Sequence, residues 1–220
     1  MNEYHKIMTA FMRDRVTNHI LPGVWTWPEF EYLKDNDWWW TEKVDGTNIR
    51  INWDGKDVTF GGRTNNAQIP NGIINRLNEL FYQDDRKILL TEMFPDMNPD
   101  SPGVTFLGEG YGAKIQKVGS LYLPGGQDFI LFDINIGGIY LERNNVKDIA
   151  DKLGLITVPT VGYGTLMEAV EFVETGFNSV LGDGDFLAEG LVIRPTVELR
   201  NRRGARIITK IKHCDFLLKK

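Results

Sequence analysis

The chemistry in this sequence gathers first around Lys43, in the run Thr41-Glu42-Lys43-Val44-Asp45-Gly46-Thr47-Asn48. A primary amine sits beside a carboxylate, and a glycine turn with two small polar side chains follows. Lysine attacks as the neutral amine, so a nucleophilic Lys43 requires a site that disfavours its charged form through desolvation or neighbouring cations. In an extended strand Lys43 and Asp45 project to the same face. Taken alone, the octapeptide also fits a surface strand with a polar hairpin end.

A second cluster lies near the C-terminus, in Arg206-Ile207-Ile208-Thr209-Lys210-Ile211-Lys212. Strand alternation puts Lys210 and Lys212 on one face and Ile207 and Ile211 on the other. Two ammonium groups aimed at one space repel each other, and a polyphosphate there would relieve the repulsion and be stabilised during phosphoryl transfer. Solvated edge lysines are the plainer alternative.

Other candidates mean less in isolation. Glu189 opens the strand-like Glu-Gly-Leu-Val-Ile-Arg and has the chemistry to hold a divalent metal, although a strand-end cap reads equally well. Glu109 lies among glycines in Leu107-Gly108-Glu109-Gly110-Tyr111-Gly112, where backbone can approach a ligand closely. Phe129 and Phe132 alternate to opposite faces of one strand, so one can be core while the other offers a ring for stacking. Arg63 carries a planar fork suited to phosphate or ribose, or is simply a turn arginine.

The elements that must position these residues follow from periodicity and punctuation. Residues 3–15 read as a short helix, and Leu21–Trp40 carries five tryptophans, read as packing residues, without clear period. β-rich runs at Trp39–Ile51 and Asp57–Gly61 flank Asp54-Gly55, a hairpin signal. Residues 73–82 have helical spacing, and Lys87–Phe94 looks like a buried strand. A turn-rich stretch spans Asn98–Gly103, then Phe129–Ile136 reads as a central strand ending at a Gly137-Gly138 hairpin. Helices are expected at Asn145–Leu153, stopped by Gly154, and from the capping box Thr165-Leu166-Met167-Glu168 to about Gly176. Glu189–Arg194 and Arg206–Lys212 are β-like. Strands at both ends with helices inserted predict an α+β domain built on antiparallel sheets.

Bulk properties bound the rest. The 220 residues, 42% hydrophobic and 25% charged, suit one sizeable globular core and a single domain over 1–220. The sole cysteine, Cys214, excludes an internal disulfide and favours an intracellular, cytoplasmic setting. No apolar run approaches a bilayer span, so a membrane partner is not expected. The net charge of −5 argues against coating nucleic acid through bulk electrostatics. The distribution does not: Arg194–Lys220 holds nine Lys or Arg against Glu198 and Asp215, net +7, leaving −12 for the preceding 193 residues.

Taken in order, these pieces resemble the covalent nucleotidyltransferase superfamily of ATP-dependent ligases and capping enzymes, whose first motif is Lys-x-Asp-Gly. Within it the sequence is most similar to phage-type double-strand, nick-sealing RNA ligases. The likeness runs through Glu-Lys-x-x-Gly-Thr-Asn at 42–48, Arg63 twenty residues after Lys43, and Gly-Glu-Gly-Tyr-Gly-Ala-Lys-Ile-Gln-Lys at 108–117. It continues through Phe-Ile-Leu-Phe-Asp-Ile at 129–134, Glu-Gly-Leu-Val at 189–192 and Lys-Ile-Lys at 210–212.

The resemblance implies an ATP-grasp-like nucleotidyltransferase (adenylyltransferase) domain, with ATP and magnesium or manganese as cofactors and RNA ends or nicks as partner; the sequence leaves the oligomeric state open, with a monomer favoured. It implies that Lys43 becomes adenylated, with Lys210 and Lys212 binding the α-phosphate and Glu189 orienting a metal. Glu42, Asp45, Asn48, Arg63, Glu109, Phe132 and Val192 would bind the nucleotide: Glu42 at adenine, Asn48 and Arg63 at phosphate or sugar, Glu109 at ribose. Phe132, rather than Phe129, would stack on adenine opposite Val192. A minimal DNA ligase or RNA-capping guanylyltransferase keeps the same lysine chemistry, and a silent nucleotide- or RNA-binding module is the alternative of another class. Relatives usually continue into a C-terminal domain, whereas only His213–Lys220 follow Lys-Ile-Lys here. The basic segment from Arg194 would then supply the RNA contacts, or the chain would be a fragment with weakened sealing.

Overall fold

Polar and apolar residues alternate through Thr47-Asn48-Ile49-Arg50-Ile51-Asn52-Trp53, and this run forms a strand with its apolar side chains wholly buried. The same logic organises the computed structural model, which describes residues 3–98, 100–182 and 185–217. Pro99, Lys219 and Lys220, which entered the sequence reading, lie outside the described residues.

In chain order the elements are β1 (Met8–Thr9), β2 (Phe11–Arg13), β3 (Ile20–Trp25), α1 (Pro28–Tyr32), β4 (Trp38–Glu42), β5 (Thr47–Trp53) and β6 (Val58–Gly61). There follow α2 (Asn71–Phe81), α3 (Asp84–Met93), β7 (Val104–Gly112), α4 (Gly119–Tyr122), β8 (Gln127–Ile136) and β9 (Ile139–Tyr140). The last are α5 (Arg143–Leu153), β10 (Thr160–Gly164), α6 (Leu166–Thr175), β11 (Gly190–Pro195) and β12 (Thr209–Lys212). The expected α+β class with antiparallel sheets is observed. No helix among the described residues is long and apolar enough to cross a membrane.

The chain divides into two compact units. The first comprises Asp45–Val158, joined by Tyr4 and His5 from the start of the chain. Its sheet runs β6-β5-β7-β8-β9, antiparallel throughout. One face carries Ile49, Ile51, Trp53, Phe106, Phe129, Leu131 and Ile134 against α2, α3 and α5. The other face is mixed, with the polar Asn48, Arg50 and Asn52 of β5 opposite Glu109, the buried Leu107 and Thr105 of β7.

The second unit comprises Lys6–Val44 and Pro159–Lys220. Its sheet runs β1-β12-β11-β4-β10, antiparallel except where β1 pairs parallel with β12. Trp38, Trp40, Leu191, Ile193 and Ile211 form its core face and pack with Leu166, Ala169, Val170 and Val173 of α6. The reading of the tryptophans as packing residues agrees with Trp38, wholly buried, and Trp40. α6 begins at the expected capping box, with the Thr165 hydroxyl accepting from the Glu168 amide and the Glu168 carboxylate accepting from the Thr165 amide.

Three expectations are corrected. Residues 3–15 are not helical: Met8 and Thr9 pair with Thr209 and Lys210, and Phe11 with Trp25, so tertiary pairing overrides the local apolar spacing. Lys87–Phe94 is not a strand but most of α3, because a short apolar run has no period of its own to separate helix from strand. Asp84 and Asp85 in its first turn are the acidic signal that favours a helix start. Finally, Lys43 and Asp45 do not share a strand face, since β4 ends at Glu42 and β5 begins at Thr47.

Candidate active site

In the second unit Lys43 follows directly from the end of β4, and its amide donates to the Gly190 carbonyl at 2.9 Å. That bond ties the lysine to the strand that Glu189 precedes. Lys43 Nζ lies 2.5 Å from Glu189 Oε2, and Lys212 Nζ lies 2.6 Å from Oε1. One carboxylate therefore bridges two lysines. β12 places Lys210 and Lys212 on one face as expected, and Lys210 stands directly opposite Val192.

The electrostatics follow from crowding three cations and one acid. Burial alone would raise the Glu189 carboxyl, but the nearby charge of Lys43 and the bond from Lys212 outweigh it and hold the group below its ordinary range. Lys210 is pushed down by burial first, then by repulsion from Lys43 and Lys212. Lys212 is opposed by burial and yet raised by its bond to Glu189.

Glu42 sits differently from the other candidates of this unit. It pairs with Leu191 on the core face, opposite to the face of Val192 and Lys210. Its wholly buried carboxylate accepts from the Ser179 hydroxyl at 2.5 Å and from the Val180 and Leu181 amides at 2.8 and 3.1 Å. Glu42 and Val192, both expected at adenine, thus project from opposite faces of this sheet. Nothing local in the sequence marks Ser179 as the partner of a residue 137 positions away.

The first unit holds the remaining candidates. Asn48 and Glu109 are direct cross-strand partners on the mixed face, and the buried Oδ1 of Asn48 has no hydrogen-bond partner among the described residues. Gly46 is obligatory here: a Cβ would fall 2.3 Å from the Gly110 carbonyl oxygen and 2.8 Å from Glu109 Cγ. The Asp45 amide donates to the Tyr122 hydroxyl at 3.3 Å, and the Gln116 side chain donates to the Gly46 carbonyl at 3.0 Å.

Phe132 is the extra residue of a β-bulge: Leu107 pairs with Asp133 and Gly108 with Leu131. Of the two phenylalanines, Phe129 is the one in the buried core. The Phe132 ring packs on Tyr4 at 5.2 Å, and the Tyr4 hydroxyl donates to Asp133 at 2.7 Å. Arg63 is exposed on the loop after β6.

Sequence reasoning passed over Arg50, which is almost wholly buried on the mixed face. Its Nε donates to the Gly62 carbonyl at 2.6 Å and a terminal nitrogen to Asn65 Oδ1 at 3.1 Å, bracketing Arg63. The available signal was its place in the polar phase of Asn48-Ile49-Arg50-Ile51-Asn52.

A strand-end lysine is thus bridged by one carboxylate to a Lys-x-Lys strand. The family model described as RNA ligase matches residues 36–212, and the chain belongs to that family. Among solved structures it is similar to Naegleria gruberi RNA ligase. A ligand-free point mutant gives 19% identity and a TM-score of 0.63, covering 97% of this chain and 58% of that one. A form with PPi gives 20% and 0.62, covering 95% and 61%; a mutant with ATP and Mn gives 20% and 0.61, covering 96% and 57%. The chain thus spans about 58% of the length of the first of these ligases. No curated protein sequence matches it.

Proposed function

We propose that this chain is an ATP-dependent RNA ligase of the nick-sealing type, working through a covalent lysyl-AMP on Lys43. The observation that carries the reading is the set of three lysines gathered about the single carboxylate of Glu189. Such a set is unfavourable by itself and suited to a triphosphate.

In the first step Lys43 Nζ forms a bond to the α-phosphorus of ATP, the bond to the bridging oxygen breaks, and pyrophosphate leaves. Lys43, an ammonium in its ion pair with Glu189, gives up two protons in becoming the phosphoramidate nitrogen: one to solvent before attack, and one as the bond to phosphorus forms, for which Glu189 Oε2 lies 2.5 Å away. Lys210 and Lys212 hold charge on the α-phosphate as it passes to Lys43 and later to an RNA 5′-phosphate. A 3′-hydroxyl then displaces AMP and joins the strand. Asp45, Asn48 and Arg63 are assigned to phosphate or sugar, Glu109 to ribose, and Phe132 and Val192 to adenine. For Glu42 the bonds to Ser179, Val180 and Leu181 support a positioning role before any contact with the base.

The donor set suits magnesium or manganese only in part. Among the described residues no group of three His, Cys, Asp or Glu could cage an ion. Glu189 offers one carboxylate, which fits an ion completed by phosphates and water. A bound ion would offset charge on the triphosphate and leaving group. The exposed Cys214, the only cysteine, makes no demand for an oxidising compartment, and we assign the protein to the cytoplasm.

The test is intact mass after incubation with ATP and magnesium, followed by addition of a nicked RNA duplex. The expected result is an acid-labile gain of one AMP, absent in Lys43→Ala and discharged on sealing. A gain that persists in Lys43→Ala, or labelling by GTP alone, overturns the proposal.

A further inference from the structure

The basic residues of the C-terminal end do not form one undifferentiated patch. Lys210 and Lys212 belong to the site above. Arg194 and Arg206 are buried and face Glu198: Arg206 binds it through two nitrogens at 2.7 and 2.5 Å, and Arg194 approaches to 3.7 Å. Among the described residues that leaves Arg200, Arg202 and Arg203, all exposed, on the hairpin that rises from this buried group.

The hairpin is rigidly made. Arg200 and Arg206 bridge at its base, the Asn201 amide donates to the Ala205 carbonyl, and the Gly204 amide donates to the Asn201 carbonyl, both at 2.9 Å. Asn201 Oδ1 accepts from the Arg203 and Ala205 amides, each at 3.0 Å, and Arg200 donates to the Gly204 carbonyl at 3.1 Å. The turn is therefore closed without the side chains of Arg202 and Arg203. Neither forms an ion pair among the described residues. Two adjacent guanidinium groups at a stiff, exposed tip repel each other, and their planar forks match phosphate oxygens.

We propose that the 200–206 hairpin docks the sugar-phosphate backbone of the RNA substrate, with Arg202 and Arg203 each neutralising a phosphate. The identity of the polyanion rests on the ligase reading. Contacts of this kind fix position without reading bases, as joining ends of any sequence demands. They also leave adenylylation to Lys43 and its neighbours.

The experiment measures binding of the full chain to a labelled nicked RNA duplex from roughly 50 to 200 mM salt, with lysyl-AMP formation followed in parallel. Arg202→Ala/Arg203→Ala is expected to bind about tenfold more weakly and to flatten the plot of log affinity against log salt by about 2. Its AMP gain and unfolding midpoint are expected to match those of the unaltered chain, and Arg202→Lys/Arg203→Lys to keep the original slope. The single alanine variants, each flattening the slope by about 1, carry the test if the double is unstable. An unchanged slope in the alanine variants, or salt-independent binding by the unaltered chain, overturns the proposal. Absence of lysyl-AMP in the unaltered chain would strike the ligase reading instead, while the slope would still judge the hairpin.

Discussion

Lys43 and Glu189 are 146 positions apart in the chain and 2.5 Å apart in space, held there by the backbone bond from the Lys43 amide to Gly190. Because Glu189 also binds Lys212, its loss leaves three lysines without their shared counter-ion. Glu189→Ala is therefore expected to lower lysyl-AMP formation by about a hundredfold or more and to destabilise the fold by about 1–2 kcal/mol. Single-turnover adenylylation and chemical denaturation measure the two effects. Near-normal adduct formation would show the bridge to be dispensable.

Glu189 and Lys210 give pH dependences of the same sign in two separate windows. Glu189 titrates lower in the folded chain than its ordinary 4.5, so its stabilisation is present above 4.5 and fades as pH falls through the lower folded value. Lys210 is also depressed, from 10.5, so in the window up to 10.5 the unfolded chain binds more protons and stability rises with pH. Lys210→Met removes that cost. Its expected signature is a flatter alkaline stability profile and a higher midpoint at neutral pH, together with lost adenylylation. An unaltered profile by thermal denaturation across pH would contradict the crowding argument.

Removing the Glu42 carboxylate leaves the Ser179 hydroxyl and the Val180 and Leu181 amides without their acceptor. Glu42→Ala is expected to cost about 3 kcal/mol and to speed hydrogen exchange at Val180 and Leu181. Exchange rates matching the parent's would mean that the loop is held by something else.

Gly46→Ala forces a methyl group against the Gly110 carbonyl oxygen and the Glu109 side chain. The backbone must yield, at a cost of about 1–3 kcal/mol, and the pairing of Thr47 with Gly110 is displaced. The expected outcome is a lower unfolding midpoint and weaker ATP binding by calorimetry, whereas an unchanged midpoint would show the approach to be looser than described.

The reach of the sequence can be judged residue by residue. Lys43, Glu189, Lys210 and Lys212 were legible as candidates because their chemistry is marked by immediate neighbours, and the structure brings all four into one unit. α2, α5 and α6 were legible because amphipathic spacing and end signals are local. The N-terminal strands were not, since their partners Thr209, Lys210, Ile20 and Trp25 are distant or follow a loop. Ser179 was invisible for the same reason, since what matters about it is a contact with Glu42, whereas Arg50 was marked only by its place in the polar phase of its strand. The direction of Glu42 depended on sheet register, which the motif alone does not carry.

The extra residue in β8 separates two jobs that a regular ladder would have coupled. Since Phe132 is the one that goes uncounted in the pairing, Leu131 and Ile134 both reach the core although three positions separate them. Shortening the strand by that single residue would leave the apolar layer and its register whole. The buried layer and position 132 are thus written in different letters of the same strand, and that position can change without shifting the register of the interior.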